Sequence, residues 1–189
     1  MMIHFVTEGT LNEYWDHSPA CGCDVLVFGF NGLDEVDYAR ELGGVTSKME
    51  DAAILSREQK CVVISGCYTV SCGIRRKSAL VAERGRILGV SDMLCSIDSS
   101  EFKSGGALKV YETGAGKIGL LVAEDLYFPE IAQMLSLCAA GCAQVASVTG
   151  DVEMLSPKKE CDHSFAPERE YHVVSGRRRG FARKILSDY

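Results

Sequence analysis

The 189-residue chain has no Cys-x-x-Cys pair, no His-x-x-x-His or His-Glu-x-x-His group, no internal repeat and no low-complexity tract. It also lacks an apolar run long enough to span a bilayer, for which about 20 residues are needed. Each absence closes off a class of function. The nine cysteines fall at spacings such as Cys21/Cys23, Cys67/Cys72 and Cys138/Cys142, and the four histidines (His4, His17, His163, His172) are scattered. Neither pattern makes a zinc site, so no metal is expected. The odd number of cysteines and their placement inside apolar runs suit reduced, buried thiols. The opening MMIHFVTEG has no basic stretch leading into an apolar one, so the expected location is cytoplasmic, with no membrane association. Positive charge is scarce too: a formal net charge of −6 argues against a general nucleic-acid binder. Glu112 to Gly119, ETGAGKIG, lacks the GxxxxGK[ST] spacing of a phosphate loop and precedes a strand, so it reads as a hairpin turn, and no cofactor is expected.

What the chain does have is a 47% apolar composition, enough for one substantial core. Strand-length apolar runs recur at Ile3 to Val6, Asp24 to Phe30, Cys61 to Ser65, Ser78 to Ala82, Leu108 to Tyr111, Ile118 to Ala123 and Gln144 to Val148. Several are continuous, as in strands buried on both faces. Leu33 to Gln59 carries apolar residues at helical spacing, interrupted by Gly43 and Gly44, and Pro129 to Cys142 predicts a second helix with proline in its first turn. Tyr14 and Trp15 predict a cover for the sheet edge. The succession of strands and helices predicts a layered α/β domain over residues 1–150. Residues 151–189 predict a short C-terminal segment made of a polar loop, a strand at Tyr171 to Ser175 and a basic ending, SGRRRGFARKILSDY. That ending reads as a solvated surface or a contact to an acidic patch within an oligomer.

Four segments, in order, resemble the nitrilase or carbon-nitrogen hydrolase superfamily. DVLVFGF (Asp24 to Phe30) resembles the strand that normally ends in Pro-Glu, and KSALVAERGRILGVSDM (Lys77 to Met93) resembles the hairpin leading to the family's lysine. EFKSGGALKVYETGAGKIGLLVAEDLYFPE (Glu101 to Glu130) resembles the edge hairpin followed by the Cys-x-Asp-x-x-Phe-Pro-Glu elbow, and the helix after it runs into Gly141-Cys142-Ala143. The resemblance implies an α-β-β-α sandwich. It also implies covalent catalysis by a cysteine on an amide or nitrile carbon, with a glutamate as base and a lysine stabilising the oxyanion. Family members continue well beyond the elbow helix, whereas 39 residues follow Gly150 here, which predicts a truncated second half.

Carried over position by position, the catalytic groups are missing. Phe30 stands where the glutamate belongs, Met93 where the lysine belongs and Ala123 where the cysteine belongs; of the family's catalytic positions only a second glutamate, Glu101, is kept. The elbow itself, Glu124, Asp125, Phe128, Pro129 and Glu130, is intact. Glu124 and Asp125 could form an acid-base pair, or Asp125 could bind backbone N–H groups at the turn. The reading is a catalytically inactive homologue kept for binding a small-molecule ligand or a protein, self-associating as a dimer through the 129–142 helix. An alternative keeps an amidase-like enzyme, with Cys95, Cys67 or Cys72 as a relocated nucleophile and Glu101 as base. A third makes the chain an assembly partner of a catalytic relative.

Overall fold

The structure is a computed structural model of the chain and describes residues 1–17, 22–97, 101–138 and 141–145. Three parallel strands, β1 (Ile3–Val6), β2 (Val25–Phe28) and β4 (Val62–Ser71), pair side by side, and β3 (Glu35–Asp37) lies parallel to the far half of β4. From β4 the chain doubles back antiparallel into β5 (Ile74–Glu83) and again into β6 (Arg86–Asp92). Both reversals are two-residue turns with positive φ at each position: Cys72 (50°) with Gly73 (76°), and Arg84 (52°) with Gly85 (78°). That conformation matches the twist of the flanking strands. A second sheet has the order β7 (Val110–Thr113), β8 (Gly116–Val122), β9 (Gly141–Val145), with the β7–β8 hairpin closed at Gly114-Ala115, the turn expected from ETGAGKIG.

Strand alternation sorts the apolar side chains into layers. Val25 and Val27 of β2, Val62 and Ile64 of β4 and Ala79 and Val81 of β5 meet Ile118, Leu120 and Val122 of β8 in the core between the sheets. The opposite face of the first sheet, Leu26, Phe28, Val63 and Leu80, packs on Leu11 of α1 (Leu11–His17) and Ala52 and Leu55 of α3 (Lys48–Gln59). On the outer face of the second sheet, Leu121 packs on Ile131 and Leu135 of α4 (Pro129–Leu137). Gly119 makes this last approach possible, because a Cβ there would lie 2.5 Å from a Leu135 methyl. The layers therefore run helix, sheet, sheet, helix, as the resemblance implies.

Three expectations change in detail. The long helix over Leu33 to Gln59 is instead β3, a short α2 (Tyr38–Leu42) and α3. Asp37 caps α2 by accepting the Ala39 N–H at 2.8 Å, and Gly44 at φ 69° breaks the chain before α3. Tyr14 reaches the edge strand β1, its ring 6.2 Å from that of His4, but it and Trp15 chiefly cover a face of the first sheet. They sit on α1 over the helical face, where Tyr14 meets Phe28 edge-on at 5.3 Å and the Trp15 indole donates to Glu58 at 2.6 Å. The elbow helix ends at Leu137 instead of Cys142, and the following strand starts at Gly141 instead of Gln144. Residues 146–148 of the last predicted strand, the loop at 151–165, the strand at 171–175 and the basic ending lie outside the described residues.

Candidate functional site

Strand β8 ends at Val122 in ordinary extended backbone, and the next residue, Ala123, turns sharply into left-handed space at φ 51° before the 3₁₀ turn Ala123–Tyr127 and α4. A side chain other than glycine is strained there by about 1 kcal/mol or more. The strain is held in place by Asp125. Its carboxylate accepts the N–H of Val122 at 3.2 Å from its own turn, and the N–H groups of Leu94 at 2.9 Å and Cys95 at 2.8 Å from the segment after β6. Asp125 is therefore a backbone anchor, and it is fully enclosed at 1% exposure. Burial pushes its carboxyl above the usual range, the three N–H donors pull it back, and the neighbouring Glu124 charge adds to the rise.

Around Ala123 the neighbours are apolar. Phe30, Met93 and Ala123 are all buried and belong to the same cluster between the sheets. The Met93 N–H donates to the Lys77 carbonyl at 2.8 Å, which continues the β5–β6 pairing and brings Met93 inward. The Phe30 ring lies 5.0 Å from Tyr68, and Tyr68 lies 5.4 Å from Phe102, a row of three aromatic rings along the corner. Counting along β5, Lys77 shares the inward face of Ala79 and Val81, and Tyr68 is its cross-strand partner. Its ammonium forms an ion pair with Glu124 and stands 5.1 Å from the centre of the Phe102 ring. Both side chains of the pair are mostly enclosed, at 17% and 21% exposure, and the second Glu124 oxygen is buried with no hydrogen-bond partner among the described residues.

Solved structures share this fold. An amidase of the nitrilase superfamily from Nesterenkonia AN1, a cysteine-to-alanine mutant, superposes with TM-score 0.64 at 18% identity, covering 80% of this chain and 66% of that one. A carbon-nitrogen hydrolase from Helicobacter pylori G27 gives 0.58 at 22% identity, covering 78% and 55%. A complex of the Nesterenkonia amidase mutant with butyramide gives 0.60 at 18% identity, covering 80% and 67%. The fold is that of the nitrilase superfamily. The chain spans 55% to 66% of the length of the first two structures it matches. No protein-family model matches the sequence, and no curated protein matches it.

Set on the nitrilase fold, the sequence-derived residues divide into two groups. Phe30, Met93 and Ala123 belong to one buried cluster, and at the elbow Pro129 opens α4, Phe128 packs beside Leu121 and Ile131, and Glu130 is exposed in the first turn. Glu101 does not join them. Its side chain is 60% exposed and pairs with Arg75 at 2.8 Å, while the same Arg75 reaches Glu35 at 3.4 Å. Of the candidate thiols only Cys95 lies beside the elbow, where its N–H binds Asp125. Cys67 is completely buried and burial, with the Asp92 charge, pushes it up to about 12. Cys95 is half-buried, and burial followed by the Asp125 and Glu130 charges raises it. Cys72 lies exposed in the β4–β5 turn. Among the described residues, no group of three or more His, Cys, Asp and Glu side chains could hold a metal ion, and no helix is long and apolar enough to cross a membrane.

Sequence reasoning missed the Lys77–Glu124 pair. The signal was available in the period of two along β5, which places Lys77 on the same face as Ala79 and Val81. Removing one member should expose the cost of the other. Lys77→Met is expected to destabilise the fold by about 2–4 kcal/mol, because it strands a mostly buried carboxylate. The double variant Lys77→Met/Glu124→Leu should recover more than half of that loss in urea unfolding. Simple additivity of the two single changes would show that the pair is not coupled.

Proposed function

We propose that this chain is a carbon-nitrogen hydrolase homologue that does not hydrolyse amides or nitriles and acts by binding. The observation that carries the reading is the corner formed by Phe30, Met93 and Ala123, buried together in the inter-sheet cluster. Covalent amide hydrolysis needs a nucleophile, a base to take its proton and a donor for the oxyanion. Here those three positions hold a phenyl ring, a thioether and a methyl group. Lys77 and Glu124 bring charge close to the elbow, but they neutralise each other and neither replaces the missing sulfur. Relocated cysteine chemistry gains no support, since burial and nearby carboxylates raise Cys67 and Cys95 instead of favouring their thiolates.

A filled corner leaves protein contacts as the better use of the scaffold. The elbow and α4 expose Leu126, Tyr127, Met134 and Leu137, with Leu137 at 85% exposure, along the same edge of the molecule. Apolar side chains grouped on one helix and its preceding turn favour a second copy of the chain as the occupant, packed through α4. Light scattering after size exclusion should then give a dimer that Met134→Glu/Leu137→Glu converts to monomer. A wild-type monomer at micromolar concentration would refute self-association.

The catalytic half of the proposal is tested by ammonia release. Incubation with butyramide, acetamide and simple nitriles should liberate no ammonia above the protein-free rate. Release that scales with protein concentration and survives repurification would contradict it.

A further inference from the structure

At the end of the sandwich opposite the elbow lies an open cleft of about 440 Å³. Its walls come from the beginnings of β2 and β4 (Asp24, Val62), the end of α3 (Arg57, Lys60), the β5–β6 turn (Glu83, Arg84) and the β7–β8 turn. In open α/β sheets ligands usually occupy the carboxyl ends of parallel strands, which here is the elbow side. The cleft thus shares no residue with the closed corner.

Its charges are unevenly matched. Asp24 accepts the Met2 N–H at 2.6 Å and lies 3.9 Å from the terminal ammonium, while Glu83 accepts the Gly114 N–H at 2.7 Å. Arg57, Lys60 and Arg84 form no ion pair and no side-chain hydrogen bond among the described residues. Three unpaired cations around one cleft are conspicuous in a chain with a net charge of −6. The turn that carries Arg84 is tied to the helix that carries Arg57. The Gly85 N–H donates to Ser56 Oγ at 3.1 Å, which ties the β5–β6 turn to α3, and the Arg57 side chain packs 3.4 Å from where a Gly85 Cβ would be. Lys60 and Arg84 both stand on left-handed backbone, at φ 54° and 52°, where asparagine or glycine would fit with less strain. Both conformations follow from the chain path, Lys60 as the left-handed C-cap of α3 and Arg84 as the first residue of the β5–β6 turn, and they set these side chains beside the cleft.

We propose that this cleft binds a small oxyanion carrying two or more negative charges, with Arg57 and Arg84 gripping one group and Lys60 the other. Arginine forks suit such oxygens, and crowding like charges around a cleft is relieved when an anion enters. The site is independent of the elbow reading, so its failure would leave the closed corner untouched.

Titration calorimetry with sodium tripolyphosphate at low salt tests the proposal, with citrate as a second arm that separates polyphosphate from polycarboxylate recognition. Saturable one-to-one binding of at least one anion is expected, weakened by added sodium chloride. Arg57→Gln/Arg84→Gln should weaken it about tenfold or more, Lys60→Gln less, and Arg40→Gln on α2 hardly at all. Arg84→Lys, which keeps the charge, should retain part of the binding and guards against a folding defect. No saturable heat with either anion, or equal losses for Arg40→Gln and the cleft variants, would overturn the proposal in favour of a plainly solvated basic surface.

Discussion

The Asp125 carboxylate accepts N–H groups from Val122 in its own turn and from Leu94 and Cys95 beyond β6, and on these three bonds the rest of the corner depends. Hydrogen bonds to a charged group contribute about 1.5–3 kcal/mol each, more than enough together to hold Ala123 in left-handed backbone. They also fix the segment after β6, so Met93 arrives against the elbow and not in solvent. Because Asp125 serves backbone groups, its structural task does not depend on the side chain at position 123.

The chemistry of the corner follows from desolvation. An isolated lysine or glutamate enclosed between two sheets is costly, whereas Phe30 and Met93 fill the same space with apolar contacts. Charge has not vanished from the neighbourhood, however. Lys77 and Glu124 enter from β5 and from the elbow itself, paired with each other and flanked by Phe102. The pairing offsets the two charges, while the second Glu124 oxygen stays buried with no hydrogen-bond partner among the described residues. At the far end of the sandwich Arg57, Lys60 and Arg84 are exposed around an open cleft and form no ion pair among the described residues. The two ends of one core thus carry opposite solutions, a sealed corner and an open cationic one.

Much of the layering was legible because strand patterning is local. The alternation of Val25 and Val27 against Leu26 and Phe28 assigns both faces of β2, and the Asp-x-x-Phe-Pro-Glu spacing sets the register that brings Ala123 to the turn. What could not be read depends on contacts distant in sequence. The helical spacing of Leu33 to Gln59 concealed β3, whose conformation comes from pairing with β4. Glu101 matched a family position, yet its partner is Arg75 across a surface ion pair. Lys77 and Glu124, 47 residues apart, become partners only when the two sheets are stacked. The cationic cleft gathers α3 and the β5–β6 turn, and no motif marks it.

Beneath the elbow Phe30, Met93 and Ala123 are buried in one cluster, with the turn itself preserved. The most direct measurement is the alkylation rate of the thiol introduced by Ala123→Cys, followed by peptide mass spectrometry near pH 8.5, about the ordinary pKa of a free thiol. A packed corner predicts labelling about tenfold or more slower than free cysteine, with rapid reaction only after unfolding. Labelling in the folded protein as fast as free cysteine, or faster, would mean that an open and activating pocket survives, and would contradict the account.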